Sequence, residues 1–333
     1  MIEFDLINNT IDTLPMVDID TTIENAHTAY SMGSYNQNFA FLDEAFPTQN
    51  IYPNTQYTYK RRASLDYDIE EYPIRTALQL CFVDNDTLIK SCSATMISSK
   101  HALTAGHCVA NLQQNIVFDS LYVRPIFDNG IENTTFLGSD VSKIYVFEDM
   151  SMANDIAILE LNDNIGEKTG WQSIGFEQDD SLLLDGIFYK VSYPGTTILQ
   201  WDSNEYNGDT LYYGYGKATW STDNNMGVLG VSGIPGESGS AISKVQNGNF
   251  YIIYGVLSYA NGLSHTKLNR NRYYTIKSII SDDLILSIPF DDTHFSIYPN
   301  PSNGELWIEN GSELALKDVK IYNALGQNIV SYS

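Results

Sequence analysis

A chain of 333 residues is long enough for two domains, or for one large domain with extensions, and its 43% hydrophobic content supports a sizeable core. Asp and Glu outnumber Lys and Arg by 41 to 18, and the formal charge of -23 argues against nucleic acid and anionic membrane as partners. No stretch reaches the roughly 18 apolar residues of a transmembrane helix, while the 23 tyrosines lean toward β structure.

Met1-Ile2-Glu3-Phe4-Asp5 lacks the basic start and apolar run of a signal peptide. Taken literally, that says cytoplasm; later features argue for export, which predicts that the chain starts downstream of its true beginning. Residues 1–62 are polar, acidic and rich in Tyr and Asn, with no clear period. Thr21 to Ser31 reads as a short helix and Asn50 to Asn54 as a turn. The extension ends in Lys60-Arg61-Arg62. The plain reading of that trio is a solvated basic patch. The sharper one is a propeptide cleaved near Arg62, which would make the chain a zymogen.

From Tyr72 onward short apolar runs alternate with polar turns. Ala77 to Val83 is a strand candidate, Asp84-Asn85-Asp86 a hairpin turn, and Cys92 to Ser98 the returning strand. His101 to Ala105 leads up to His107. Further strands are expected at Ser142–Phe147, Asp155–Leu161, Gly186–Ser192, Leu211–Tyr215, Gly227–Val231 and Phe250–Leu257. Such spacing predicts an all-β sandwich or barrel. Tyr273 to Ile280 is either a closing helix or a last strand. Leu284 to Phe290 and Asp291-Asp292-Thr293 lie in a linker before a small β module at residues 295–333.

Three stretches carry chemistry. Gly236-Glu237-Ser238-Gly239-Ser240 places a serine among small residues, which suits a tight loop with backbone amides free to face a developing oxyanion. Leu103-Thr104-Ala105-Gly106-His107-Cys108 supplies an imidazole that could take the serine proton and return it to a leaving amine. Asn154-Asp155-Ile156-Ala157-Ile158-Leu159 supplies a carboxylate, at the head of an apolar strand, to hold the imidazole tautomer. Each alone is ordinary turn chemistry. Together they give His107, Asp155 and Ser238 in an order used for nucleophilic catalysis, with the Gly236 and Ser238 amides as an oxyanion hole.

Those blocks resemble the three signatures of the trypsin/chymotrypsin serine protease superfamily. Tyr72-Pro73-Ile74-Arg75 and Ser192-Tyr193-Pro194-Gly195 are similar to its bacterial glutamyl-endopeptidase branch. The resemblance spans roughly residues 70–282 and implies two six-stranded antiparallel β-barrels with the site between them. It also implies a Cys92–Cys108 disulfide beside the histidine, leaving Cys81 as an odd thiol. Neither a metal nor a cofactor is expected, since no CxxC or HExxH spacing occurs.

Departures from the family concern specificity and activation. Glu237 stands where Asp, or Asn in the glutamyl branch, is usual, and an acid there could pair with a freed α-amino terminus. Ala241 replaces a usual Pro. Leu257 and Gly233 stand where the glutamyl branch has His and Thr. Ser232 matches the pocket floor, so no charge favours Lys or Arg there. Ser258-Tyr259-Ala260 matches the wall along which substrate backbone pairs as an added strand. An uncharged pocket favours apolar or aromatic side chains, with acidic ones possible through His265 or Lys267.

Ile297-Tyr298-Pro299-Asn300-Pro301-Ser302-Asn303-Gly304 and Val319 to Gln327 resemble the C-terminal sorting domain of the type IX (Por) secretion system of Bacteroidetes. That implies a partial C-terminal β-sandwich, contact with the secretion machinery and a secreted or cell-surface location, in keeping with a disulfide. The expected organisation is an extension or propeptide at 1–62, a protease domain at 63–282, a linker at 283–294 and a sorting domain at 295–333. The expected function is a secreted serine endopeptidase acting on proteins or peptides as a monomer. The competing readings are a catalytically inactive homologue used as an extracellular binding module and an acyl hydrolase. The last usually carries its triad in the opposite chain order, with Gly-x-Ser-x-Gly.

Overall fold

In the computed structural model the described residues are 1–15, 28–31, 33–34, 61–84, 87–111, 116–149, 151, 153–184, 186–195, 206–231, 233–246, 250–258 and 264–280. Four strands within 295–332 are also described. The expected turn at Asn50–Asn54 and the run Leu284–Phe290 lie outside these residues.

The first 62 residues contribute four short strands, β1 (Ile2–Asp5), β2 (Thr10–Thr13), β3 (Thr28–Tyr30) and β4 (Arg61–Arg62). The expected helix over Thr21–Ser31 is therefore corrected: Thr28–Tyr30 pairs antiparallel with Gly175–Glu177, and 21–27 lie outside the described residues. An edge that needs backbone partners overrides a weak local helical preference.

Six strands close the first barrel: β5 (Ala77–Asp84), β6 (Thr87–Met96), β7 (His101–Thr104), β10 (Leu121–Pro125), β11 (Ser139–Val146) and β12 (Ala157–Leu161), with β8 (Ala110–Asn111) and β9 (Ile116–Val117) forming a small hairpin beside them. The order is β10-β5-β6-β7-β12-β11, and pairing of β10 with β11 closes it. A short helix, α1 (Gly166–Thr169), and strand β13 (Ser173–Glu177) lead across to the second barrel. That barrel runs β17-β14-β15-β16-β19-β18, closed by β17 on β18, from β14 (Ile187–Ser192), β15 (Tyr212–Ser221), β16 (Asn225–Leu229), β17 (Ala241–Gln246), β18 (Phe250–Leu257) and β19 (Ser264–Lys267). Closure leaves neither barrel an unpaired edge of its own.

Strand alternation explains how the two barrels meet. Along β12, Ala157, Leu159 and Leu161 fill the first barrel with Leu80, Met96 and Val123. Ile158 points the other way, into a cluster with Ile97, Leu103, Ile174, Ile253 and Val256. On β18, Ile252 and Tyr254 fill the second barrel with Phe188, Met226 and Ile242, while Ile253 and Val256 join the shared cluster. A strand buried on both faces reads as the continuous apolar run seen here.

The candidate at Tyr273–Ile280 is a helix, α2 (Arg270–Ile280). Asn269 caps it, its Oδ1 accepting from the Arg272 amide at 3.0 Å. Tyr273, Ile276 and Ile280, spaced three and four apart, bury against the shared cluster, each contributing about 1.5–3 kcal/mol.

The N-terminal strands are woven into this frame. β1 pairs with β11 in the register Ile2↔Val146 and Phe4↔Ile144, and β2 pairs outside it. Phe4 enters the first core and Met1 the shared cluster. β4 pairs with β15, Arg62 opposite Tyr212, and Arg61 meets Asp66 at 2.6 Å, so two residues of the basic trio belong to a sheet. In the C-terminal segment β20 (Phe295–Tyr298) pairs with β21 (Trp307–Asn310), and β22 (Val319–Tyr322) with β23 (Asn328–Tyr332).

Candidate active site

The three chemical stretches converge where the barrels meet. β7 ends at Thr104, and a single helical turn, Gly106–Cys108, carries His107. Cys108 is bonded to Cys92 on β6, which fixes that turn to the barrel wall. The imidazole is 45% exposed on its side chain, whereas Asp155 is 5% exposed. Asp155 Oδ2 lies 2.7 Å from His107 Nδ1, and Oδ1 accepts from the His107 backbone amide at 2.8 Å. Ser258 Oγ donates to Oδ2 at 2.5 Å. An acceptor-only carboxylate on Nδ1 assigns the proton to that nitrogen and leaves Nε2 as the outward lone pair.

Asp155 is itself held from behind. Arg272 of α2, buried, reaches Asn154 Oδ1 at 2.9 Å and the Ala153 carbonyl through Nη2. Through Nη1 it takes the Asn224 and Lys267 carbonyls at 3.1 and 2.5 Å. Burial pushes its guanidinium down to about 10, so it stays charged at neutral pH.

The serine loop is stitched to both barrels. Ser238 O accepts from the Ser93 amide on β6 at 2.8 Å, and the Gly239 amide donates to Leu257 O on β18 at 2.8 Å. Gly239 has φ +83°, and a Cβ there would strike Thr104, Ser93 and Ala105. Gly236, at φ +86°, would strike Tyr193 and Gly195. Both positions therefore demand glycine, by conformation and by space. Among the described residues no hydrogen bond uses the Gly236 or Ser238 amide.

Glu237, between them, is fully buried. Its carboxylate takes Ser192 Oγ at 2.6 Å and the Ile234 amide at 2.8 Å, and Lys190 Nζ stands 3.4 Å away.

Sequence reasoning missed Ser93, Lys190 and Arg272. Ser93 Oγ donates to Gly236 O at 3.0 Å and accepts from Tyr193 N at 2.9 Å, bridging the serine loop to β14's end. A lysine inside the apolar strand Ile187–Ser192 was the available signal for Lys190.

Of the expected pocket residues, Ser232, Tyr259 and Ala260 lie outside the described residues. Gly233 faces Leu257, into whose side chain a Cβ would run. Ser258 directs its hydroxyl to Asp155. His265 is buried opposite Leu257 in the β18–β19 pairing, and Lys267 is engaged by Asp180 and the Thr222 carbonyl. Cys92, His107 and Cys108 gather three possible metal donors within 4.8 Å of one another. The two sulfurs, however, are bonded to each other and offer no thiolate. Cys81 is buried, its Sγ donating to Gln79 Oε1 at 3.3 Å.

The trypsin family profile matches residues 73–280, well over half of the chain. The chain belongs to the trypsin family. As a trypsin-family protein it is a chymotrypsin-like serine endopeptidase by class, and its two closed barrels are those of the fold. Similar solved structures include a Glu endopeptidase in complex with MPD, at 21% identity and TM-score 0.55, the match covering 67% of this chain and 96% of that one. Another is a thermostable serine protease, AL20, from an extremophilic microorganism, at 15% identity and TM-score 0.50, covering 62% and 97%. At these identities the likeness is one of fold. Residues 296–333 match the secretion system C-terminal sorting domain, which marks this trypsin-family chain as secreted or cell-surface. No described helix is long and apolar enough to cross a membrane.

Proposed function

We propose that the protein is a secreted serine endopeptidase that cleaves peptide bonds through His107, Asp155 and Ser238. The observation that carries the reading is the buried Asp155 carboxylate, which accepts from His107 Nδ1, the His107 amide and Ser258 Oγ at once. Ser238 Oγ attacks the scissile carbonyl while His107 Nε2 takes its proton. The Gly236 and Ser238 amides stabilise the resulting oxyanion. His107 then protonates the leaving amine, and an acyl-enzyme forms on Ser238. Water, deprotonated by the same imidazole, attacks the ester and frees the acid product. Asp155 stabilises the imidazolium throughout without itself taking the proton.

The pocket floor and wall are assigned to Ser232 and Gly233 and to the Ser258, Tyr259 and Ala260 backbone. The peptidase unit is assigned to residues 63–282, after an extension at 1–62. A linker at 283–294 leads to a sorting module at 295–333 that engages the secretion machinery. Protein or peptide substrates and a monomeric state complete the reading.

Fluorophosphonate labelling of the purified chain beside Ser238→Ala tests it. Labelling of the parent that Ser238→Ala abolishes is the expected result, and a peptide library run against simple esters then separates peptidase from acyl hydrolase. A folded parent that takes no label, or one whose label survives Ser238→Ala, would sink the assignment.

A further inference from the structure

A carboxylate in a protein interior persists only with close compensation, and Glu237 stands directly between the two residues whose amides face the proposed oxyanion. One strand supplies two of its partners. Lys190 and Ser192 are two apart on β14, so their side chains leave the same face. Ser192 Oγ donates to Glu237 Oε1, and Lys190 Nζ stands 3.4 Å from Oε2, with the two charged side chains 1% and 0% exposed. The Ile234 amide closes the loop on its own carboxylate. Lys190 Nζ also donates to the Val231 carbonyl at 2.9 Å. A single ammonium thus grips both ends of the 231–237 segment.

We propose that Lys190 is the built-in counterion of the oxyanion loop. It holds Glu237, and through Glu237 the Gly236 and Ser238 amides, in working geometry without any α-amino group released by chain cleavage. The inference rests on the peptidase reading above. A freed terminus would have to enter a site already occupied by Lys190, Ser192 and the Ile234 amide. The glutamate also makes sense here, because its extra methylene carries the carboxylate across to the neighbouring strand. Lys190 is a positioning residue: it acts through Glu237 and touches no reacting atom.

The test compares the full chain, Lys190→Met and the charge-neutral pair Lys190→Met/Glu237→Gln. It reads fluorophosphonate labelling, turnover of a small ester and amide hydrogen exchange over residues 233–240. The uncut full chain should label as fast as the chain cut near Arg62. Lys190→Met should lower kcat by about 10²–10³-fold, the loss seen when one oxyanion donor is removed, with KM little changed. Its loop amides should exchange at least about tenfold faster while the barrel strands stay protected. The pair, which buries no lone charge, should recover most of both losses. Labelling that appears only after the cut, or a Lys190→Met protein with unaltered kcat and loop exchange, would overturn the proposal. If Lys190→Met does not fold, the pair and the uncut chain decide it. A folded chain that never labels would count against the peptidase reading instead, and loop exchange would still settle the role of Lys190.

Discussion

The Ser93 amide donates to the Ser238 carbonyl at 2.8 Å, so the residue next to Cys92 in sequence holds the serine loop while Cys92 itself holds the histidine turn. One strand of the first barrel therefore sets the spacing between Ser238 and His107. Ser93→Ala keeps that backbone bond and removes the hydroxyl that bridges Gly236 O and Tyr193 N. Leaving those buried groups without their partner should cost about 1–3 kcal/mol. A lowered Tm together with a reduced kcat would bear this out; an unchanged kcat would show that the bridge does not support the oxyanion loop.

Asp155→Asn should leave the fold intact and lower kcat by about 10⁴-fold, because an amide can present its NH2 to Nδ1 and stabilise the wrong tautomer. Ser258→Ala removes one of three donors and should cost only about tenfold. Single-turnover kinetics on both variants separates the two effects. Equal losses would mean that Ser258, rather than the tautomer, dominates.

Arg272→Ala should destabilise the protein by about 3 kcal/mol or more, since several carbonyls and the Asn154 side chain lose a charged donor at once. Chemical denaturation measures this. A drop in kcat in the surviving folded fraction would show that α2 positions the Asp155 loop.

The Cys92–Cys108 bridge closes a loop with a sequence separation of 16. Its removal as Cys92→Ala/Cys108→Ala should cost about 2–4 kcal/mol, largely by enlarging the unfolded ensemble. Retention of both thermal stability and activity under reducing conditions would contradict this.

Glu160 gives a pH signature. Burial raises its pKa, but hydrogen bonds from Lys100 and Tyr145, both at 2.9 Å, outweigh that and hold it below its ordinary 4.5. A depressed folded pKa contributes stability that is fully present above the unfolded value and is lost as the pH falls through the folded one. Glu160→Gln should therefore flatten the acid limb of stability below about pH 4.5. Denaturation curves from pH 7 to 3 check it, and parallel acid limbs in parent and variant would refute it.

The stretches that carry His107, Asp155 and Ser238 stood out as candidates because their small residues are unusual together, and at Gly236 and Gly239 conformation and close packing dictate glycine. Long apolar runs such as Tyr251–Leu257 were legible for the same reason that they fold, being buried on both faces. β19 was not, since Ser264–Lys267 is polar and its burial comes from closing the barrel. β2 was not either, because all four residues are exposed and carry no alternation. Ser93, Lys190 and Arg272 escaped for a different reason. Ser93 and Lys190 meet partners tens of positions or more away in sequence, and Arg272 adds Asn154 and Asn224 to the nearby Lys267 carbonyl, so only the folded chain brings these groups together.

The pairing of β1 with β11 and of β4 with β15 means that a cut after Arg62 would not by itself release what precedes it. The nicked molecule would behave as a two-piece complex, the amino-terminal piece zipped by β1 and β4 into the walls of the other. It would run as a single species on a native column and separate only in denaturant. Removal of the amino-terminal piece would thus be a dissociation step with its own affinity, distinct from the scission that precedes it.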